Sequence, residues 1–133
     1  MAALIKKFVD AVACQEQTVT IWGTGQARRE FMHVDDAAAA ILYMIERYKD
    51  PKIINIGWGC DLNILDLAAM VAKEVDFRGR IVWDETKPDG MPVKCMDVSR
   101  MKNLGFQPKI SLNEGIRKSV EEYRQLVCEG EGQ

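Results

Sequence analysis

Residues 22–36 read WGTGQARREFMHVDD, and this stretch decides how the rest of the chain is parsed. Gly23 and Gly25 allow a sharp backbone turn. Arg28 and Arg29 follow with planar forks of N–H donors, which suit phosphate oxygens better than lysine does. Alternation then predicts a short strand over 29–34, with Arg29, Phe31 and His33 on one face and Glu30, Met32 and Val34 on the other. Asp35 or Asp36 is expected to cap the helix beginning at Ala37.

Working outward, Leu4, Ile5, Phe8, Val9 and Val12 form one helical stripe, predicting an amphipathic helix over residues 2–15 with Lys6 and Lys7 at its polar margin. Residues 18–22 form a short β-branched strand leading into the glycine turn. The helix over 37–48 is apolar nearly all round from Ala37 to Ile45, so burial on several sides is expected. Asp50-Pro51 ends it, and 52–56 reads as a compact apolar strand.

Asn63 with Asp66 forms a capping-box pattern for a helix over 64–75. A strand follows at 80–84 and a turn-rich loop at 86–92 containing KPDG. Residues 94–98 read as extended, and Ser99 is expected to cap a short helix ending at Gly105. Ser111 and Glu114 open the last helix, from 112 to about 128. Strands alternating with helices make the chain α/β. The strand-helix-strand piece around 37–48 is of the kind that completes a larger parallel sheet, whose other strands this chain can hardly supply.

A chain of 133 residues is the size of one domain. With 47% of its residues apolar, 29% charged and a net charge of −2, it has an ordinary globular composition, without the basic surface that nonspecific nucleic-acid binding requires. No signal-peptide pattern or membrane-length apolar run is present, so the expected location is cytoplasmic. Cysteines 14, 60, 95 and 128 lack zinc spacing and are read as free thiols, some packed as small hydrophobes. No metal site is expected.

Taken singly, the candidate residues have two readings each. Arg29 is either a phosphate clamp or a surface partner of Glu30, Asp35 or Asp36. Trp22 either stacks on a ligand or fills the core, and His33 is read as a hydrogen-bonded structural histidine. By default Lys7 is a solvated charge, Asp89 a turn residue bonding its own backbone, and Arg80 a strand-edge charge. The chain has no G-x-G-x-x-G after a strand. Nor does it hold a Tyr-x-x-x-Lys able to support hydride chemistry.

The order of the pieces carries more than any one of them. AALIKKF, WGTGQARREFMHVDDAAAA, IINIG, RGRIVWDETKPDGMPVKCMDVSRMKNLGF and SLNEGI, in that order, resemble the C-terminal half of the GDP-L-fucose synthases. These are NADPH-dependent epimerase-reductases of the extended short-chain dehydrogenase/reductase family. The resemblance implies that residues 1–128 are a substrate-binding C-terminal portion without the N-terminal Rossmann domain, and that 129–133 are a frayed tail. NADPH is implied for the complete enzyme, with no cofactor bound by this chain alone. No catalytic residue carries over, and His33 does not match the family's epimerisation histidine. Substrate-binding positions do carry over by resemblance: Lys7, Trp22, Arg29, Arg80 and Asp89 would contact a GDP-sugar. Self-association or a Rossmann-domain partner would cover the orphan apolar surface of helix 37–48. The alternative is a non-enzymatic interaction module that keeps the fold without the sugar site.

Overall fold

The structure, a computed structural model, describes residues 1–130, with side chains as far as Cys128. The expected frayed tail at 129–133 therefore lies outside the described side chains. The elements run α1 (Ala2–Ala13), β1 (Thr18–Trp22), β2 (Arg28–Glu30), α2 (Val34–Arg47), β3 (Asp61–Asn63), α3 (Ile64–Glu74), β4 (Arg80–Asp84), β5 (Val93–Lys94), α4 (Ser99–Asn103) and α5 (Leu112–Gly130). Two small sheets result: β1 pairs in parallel with β4, while β2 lies between antiparallel β3 and parallel β5.

The main core gathers the stripes of α1, α3 and α5 over β1, with Phe8, Leu67, Val71, Val75, Ile116 and Val120 almost wholly enclosed. Removing each of these side chains from water contributes roughly 2 kcal/mol. Phe8 also meets Phe77 edge-on, ring centres 5.4 Å apart. A second, smaller cluster joins α2 to α4 through Ala40, Met44, Val98 and Met101. The glycine turn leaves β1 with Gly23 at φ +83° and Gly25 at φ +78°, a region closed to most side chains.

Several local expectations change. The strand predicted over 29–34 is only three residues long, because the chain turns into α2 at Val34, three residues before the predicted start. The N-cap is His33, whose Nδ1 accepts from the Asp35 amide at 3.3 Å, so neither aspartate caps α2. Asp36 instead lies 5% exposed and accepts from the amides of Lys109 and Ile110 at 2.8–3.1 Å. The helix cap is thus local, whereas the buried carboxylate is a long-range tie to the segment entering α5. Ser99 is the first residue of α4 and not its cap; Asp97 Oδ1 takes the Ser99 amide.

Nor is α2 buried on several sides. Ala40 and Met44 face the small cluster, while Ile41, Leu42 and Ile45 are half exposed or more. Residues 52–56 form no ladder among the described residues; the Ile53 carbonyl accepts from Arg100 Nη1 at 2.6 Å, and Ile53 itself is exposed. A strand is defined by its neighbour, and none of the described strands reaches this segment. All four cysteines are exposed free thiols, so none is a packing residue.

Asn63 caps α3 as read, its Oδ1 accepting from the Asp66 amide at 2.6 Å without a return bond to the Asp66 side chain among the described residues, and Ser111 Oγ accepts from the Glu114 amide at 3.3 Å. No described helix is long and apolar enough to cross a membrane.

Candidate functional site

Parallel pairing sets the geometry of the candidate site. The register places Trp22 opposite Asp84 at one end of the β1–β4 pair and Thr18 opposite Arg80 at the other. Four residue steps separate the ends, about 13 Å. Arg80 therefore lies at the opposite end of the pair from Trp22, and a single ligand would have to span that length to contact both.

Lys7 and Trp22 do come together. They border a hollow of about 420 Å³ with Leu4, Ile21, Ile64 and Leu67. Lys7 projects from α1 and donates from Nζ to the Thr20 carbonyl at 2.8 Å, so it is anchored rather than freely solvated. Trp22 is 68% exposed, which removes the reading of it as a core residue. Large indole surface left in water beside an apolar hollow is what a stacking ligand would cover.

Arg29 and Asp89 meet next to the glycine turn. Arg29 Nη1 donates to the Arg28 carbonyl at 2.7 Å, and Nη2 reaches the Asp89 carbonyl at 3.5 Å. Three of the five guanidinium N–H groups have no acceptor among the described residues. None of Glu30, Asp35 or Asp36 pairs with it among the described residues. Arg28 is different. It forks onto Asp61, with Nε to Oδ2 at 2.9 Å and Nη2 to Oδ1 at 3.1 Å, so the two adjacent arginines do not act as one anion clamp.

Asp89 does not bond its own turn. Its carboxylate accepts from Thr24, the amide at 2.7 Å and the hydroxyl at 2.5 Å, fastening the loop over 86–92 onto the glycine turn. The Thr24 hydroxyl and amide, with Arg29 nearby, hold this carboxyl below its ordinary value of 3.8. A group with a lowered folded pKa contributes stability above its unfolded value and loses it as pH falls through the folded one. Loop docking is therefore expected to be complete above about pH 4 and to fail only on further acidification. Thr24→Val should move that release to higher pH, read from the amide resonance of residue 24.

The glycines of the turn are filled, not open. A side chain at Gly23 would strike the Asp89 carboxylate, and one at Gly25 would fall on the Trp83 ring. The turn therefore offers no open cradle for a dinucleotide pyrophosphate, and the anion-holding capacity lies in the flanking side chains. Gly23→Ala is expected to cost about 1–2 kcal/mol from the positive φ alone. It should also undock the loop, seen as a lower urea midpoint together with loss of the Thr24–Asp89 signature.

Glu30 is a residue the sequence reading missed. Its carboxylate accepts from the Gly59 amide at 2.9 Å and the Met96 amide at 2.8 Å, tying the approach to β3 and the exit from β5 to the strand that carries Arg29. Partial burial pushes its carboxyl up, but the Met96 and Gly59 amides outweigh this and leave it below the usual value. No local sequence signal marks a carboxylate whose donors lie 29 and 66 residues away.

A second hollow, of about 380 Å³, lies between α1 and α5, bordered by Ile5, Phe31, His33, Leu112 and Tyr123. It holds none of the five predicted residues. Among the described residues no group of three or more His, Cys, Asp or Glu could hold a metal ion.

Comparison with known proteins agrees with this geometry at the level of fold. Residues 1–57 match the NAD dependent epimerase/dehydratase family. GDP-L-fucose synthase 1 of Arabidopsis thaliana is 41% identical over 96% of this chain and 40% of its own length. GDP-L-fucose synthase of Escherichia coli K12 is 40% identical over 90% of this chain and 40% of its own length. Among solved structures, a GDP-mannoheptose C4 reductase of Campylobacter jejuni with NADP bound superposes with a TM-score of 0.77 at 35% identity, covering 92% of this chain and 43% of that one. The chain thus spans about two-fifths of the length of the curated relatives it matches. Its α/β arrangement is part of the extended short-chain dehydrogenase/reductase fold.

Proposed function

We propose, starting from this similarity to the GDP-L-fucose synthases, that residues 1–128 are the GDP-sugar-binding portion of an NADPH-dependent epimerase-reductase. The reaction of the whole enzyme would convert GDP-4-keto-6-deoxymannose to GDP-L-fucose in the cytoplasm. The observation that carries the reading is the Trp22 end of the β1–β4 pair, where an exposed indole, an anchored Lys7 and the free donors of Arg29 flank one glycine turn. Trp22 would wall the ligand, while Lys7 and Arg29 would face the diphosphate or the sugar hydroxyls. Asp89 enters chiefly as the fastening of its loop. Arg80 lies at the far end of the strand pair, about 13 Å from Trp22, where only the opposite extremity of an extended GDP-sugar would meet it.

The glycine turn does not fit the pyrophosphate of a dinucleotide cofactor, since it is closed by Trp83 and Asp89 and leads into a strand rather than a helix. NADPH would belong to the remaining length of the complete enzyme and would supply hydride there. Hydride transfer by the 133-residue chain is not expected, and NADPH oxidation with the keto-sugar would overturn that.

Titration with GDP, followed by NMR at the Trp22 indole and the Arg29 side chain, tests the binding reading. Arg29→Ala should weaken GDP by about 2 kcal/mol, the scale of a charge-assisted hydrogen bond, or about thirtyfold. No response at millimolar GDP would sink the reading.

One observation favours a second role, as a docking module for a Rossmann domain or a second copy. The outer face of α2 exposes Leu42 at 64% and Ile45 at 67%, an apolar strip that association would cover. Sedimentation of the chain, alone and with Leu42→Glu, would separate association through this face from a stable monomer.

A further inference from the structure

The loop over 86–92 carries one more cation to the site, and it is tied to the segment 22–29 through Trp22, Thr24, Arg28 and Arg29. It leaves β4 through a turn closed by Asp84 Oδ1 accepting from the Thr86 amide at 3.1 Å and by the Lys87 amide donating to the Asp84 carbonyl at 3.2 Å. Because Asp84 is the register partner of Trp22, this turn folds Lys87 back across the neighbouring strand. Its Nζ lies 5.8 Å from the centre of the Trp22 ring. Two residues on, the Asp89 carboxylate is fastened to Thr24, and its carbonyl receives Arg29 Nη2. The ammonium thus stands on a segment tied down on both sides. Lys7 is the lysine that borders the Trp22 hollow itself, whereas Lys87 reaches the Trp22 ring from the loop. Of the acidic residues close to it in sequence, Asp84 is engaged by the Thr86 hydroxyl at 2.5 Å and Asp89 by Thr24, and neither these nor Glu85 forms an ion pair with Lys87 among the described residues.

We propose that Lys87 is a further binding residue of this site, a second ammonium for the diphosphate of a nucleoside-diphosphate ligand stacked at Trp22, held in place by Thr24 acting through Asp89. The inference rests on the sugar-nucleotide reading above and adds two residues to it. Thr24 is a positioning residue: it contacts the loop rather than the ligand. The cation is solvent-facing, so its effect is that of an exposed ion pair, and salt should erode it.

The test uses the 133-residue chain with two probes, GDP and guanosine, titrated against the indole resonance of Trp22. Lys87→Gln should raise the Kd for GDP roughly threefold to fivefold, flatten its dependence on salt, and leave guanosine unchanged. Lys87→Arg should restore most of the loss. Thr24→Val should weaken GDP in the wild-type background and have little further effect when combined with Lys87→Gln, which a merely destabilising substitution would not do. An unchanged GDP affinity in Lys87→Gln, or an equal loss for guanosine, overturns the role of Lys87 while leaving the binding site standing. If the wild-type chain binds neither probe, the sugar-nucleotide reading itself fails, and the assignment of Lys87 fails with it.

Discussion

Asp36→Ala is expected to lower the unfolding free energy by about 3 kcal/mol, because it leaves the amides of Lys109 and Ile110 without their acceptor beside a buried site. Two costs combine. The amides lose charge-assisted bonds, and the first turn of α2 loses a negative charge near its positive end. Asp36→Asn, which keeps one carbonyl oxygen, should lose less. Equilibrium urea unfolding of the three proteins checks the order wild type, Asn, Ala. A change of under 1 kcal/mol for alanine would mean that water reaches those amides in the folded protein.

Phe8→Ala is expected to cost about 4 kcal/mol, the sum of lost apolar burial and the cavity left behind. Phe8 is wholly enclosed, meets Phe77 and belongs to the core cluster that also gathers the α3 and α5 stripes, so a cavity there is shared among several elements. Against a total stability on the order of 5–15 kcal/mol, such a loss populates the unfolded chain measurably at moderate temperature. Phe8→Leu should recover more than half. Lys7 is the adjacent residue on α1, so the alanine variant should also weaken ligand binding without touching the site. Binding measured well below the midpoint of unfolding would separate this indirect loss from that of Lys7→Ala.

What the sequence makes legible here is what is local. Periodicity marks α1, α3 and α5, β-branched runs mark β1 and β4, and the Asn63–Asp66 pair marks a helix start, because each signal acts over a few residues. His33 shows where that logic fails: two aspartates just after it are stronger caps by residue type, yet one of them is claimed by a segment over 70 residues away. The same holds for the site. Alternation cannot say that Arg28 belongs to Asp61 while its neighbour Arg29 pairs with no carboxylate among the described residues, because that choice is made by β3 pairing with β2. Family likeness gives Arg80 and Trp22 one ligand, and only the strand register reveals that they stand at opposite ends of the β1–β4 pair. Glu30, Thr24 and Lys87 carry no local signal, since each depends on a partner brought in from 29 to 66 residues away.

The parallel pairing of β1 with β4 also sets when the site comes into being. The two strands lie about sixty residues apart in the chain, with α2 and α3 between them. Closing a connection of that length is entropically unfavourable until both strands can pay it back in paired backbone and buried side chains, and contacts of such separation form slowly. On a ribosome, the wall at Trp22 would stand alone until residue 84 had emerged. The binding surface is thus a late product of folding, and its Trp22 signal should recover in a refolding experiment after the helical signal has already returned.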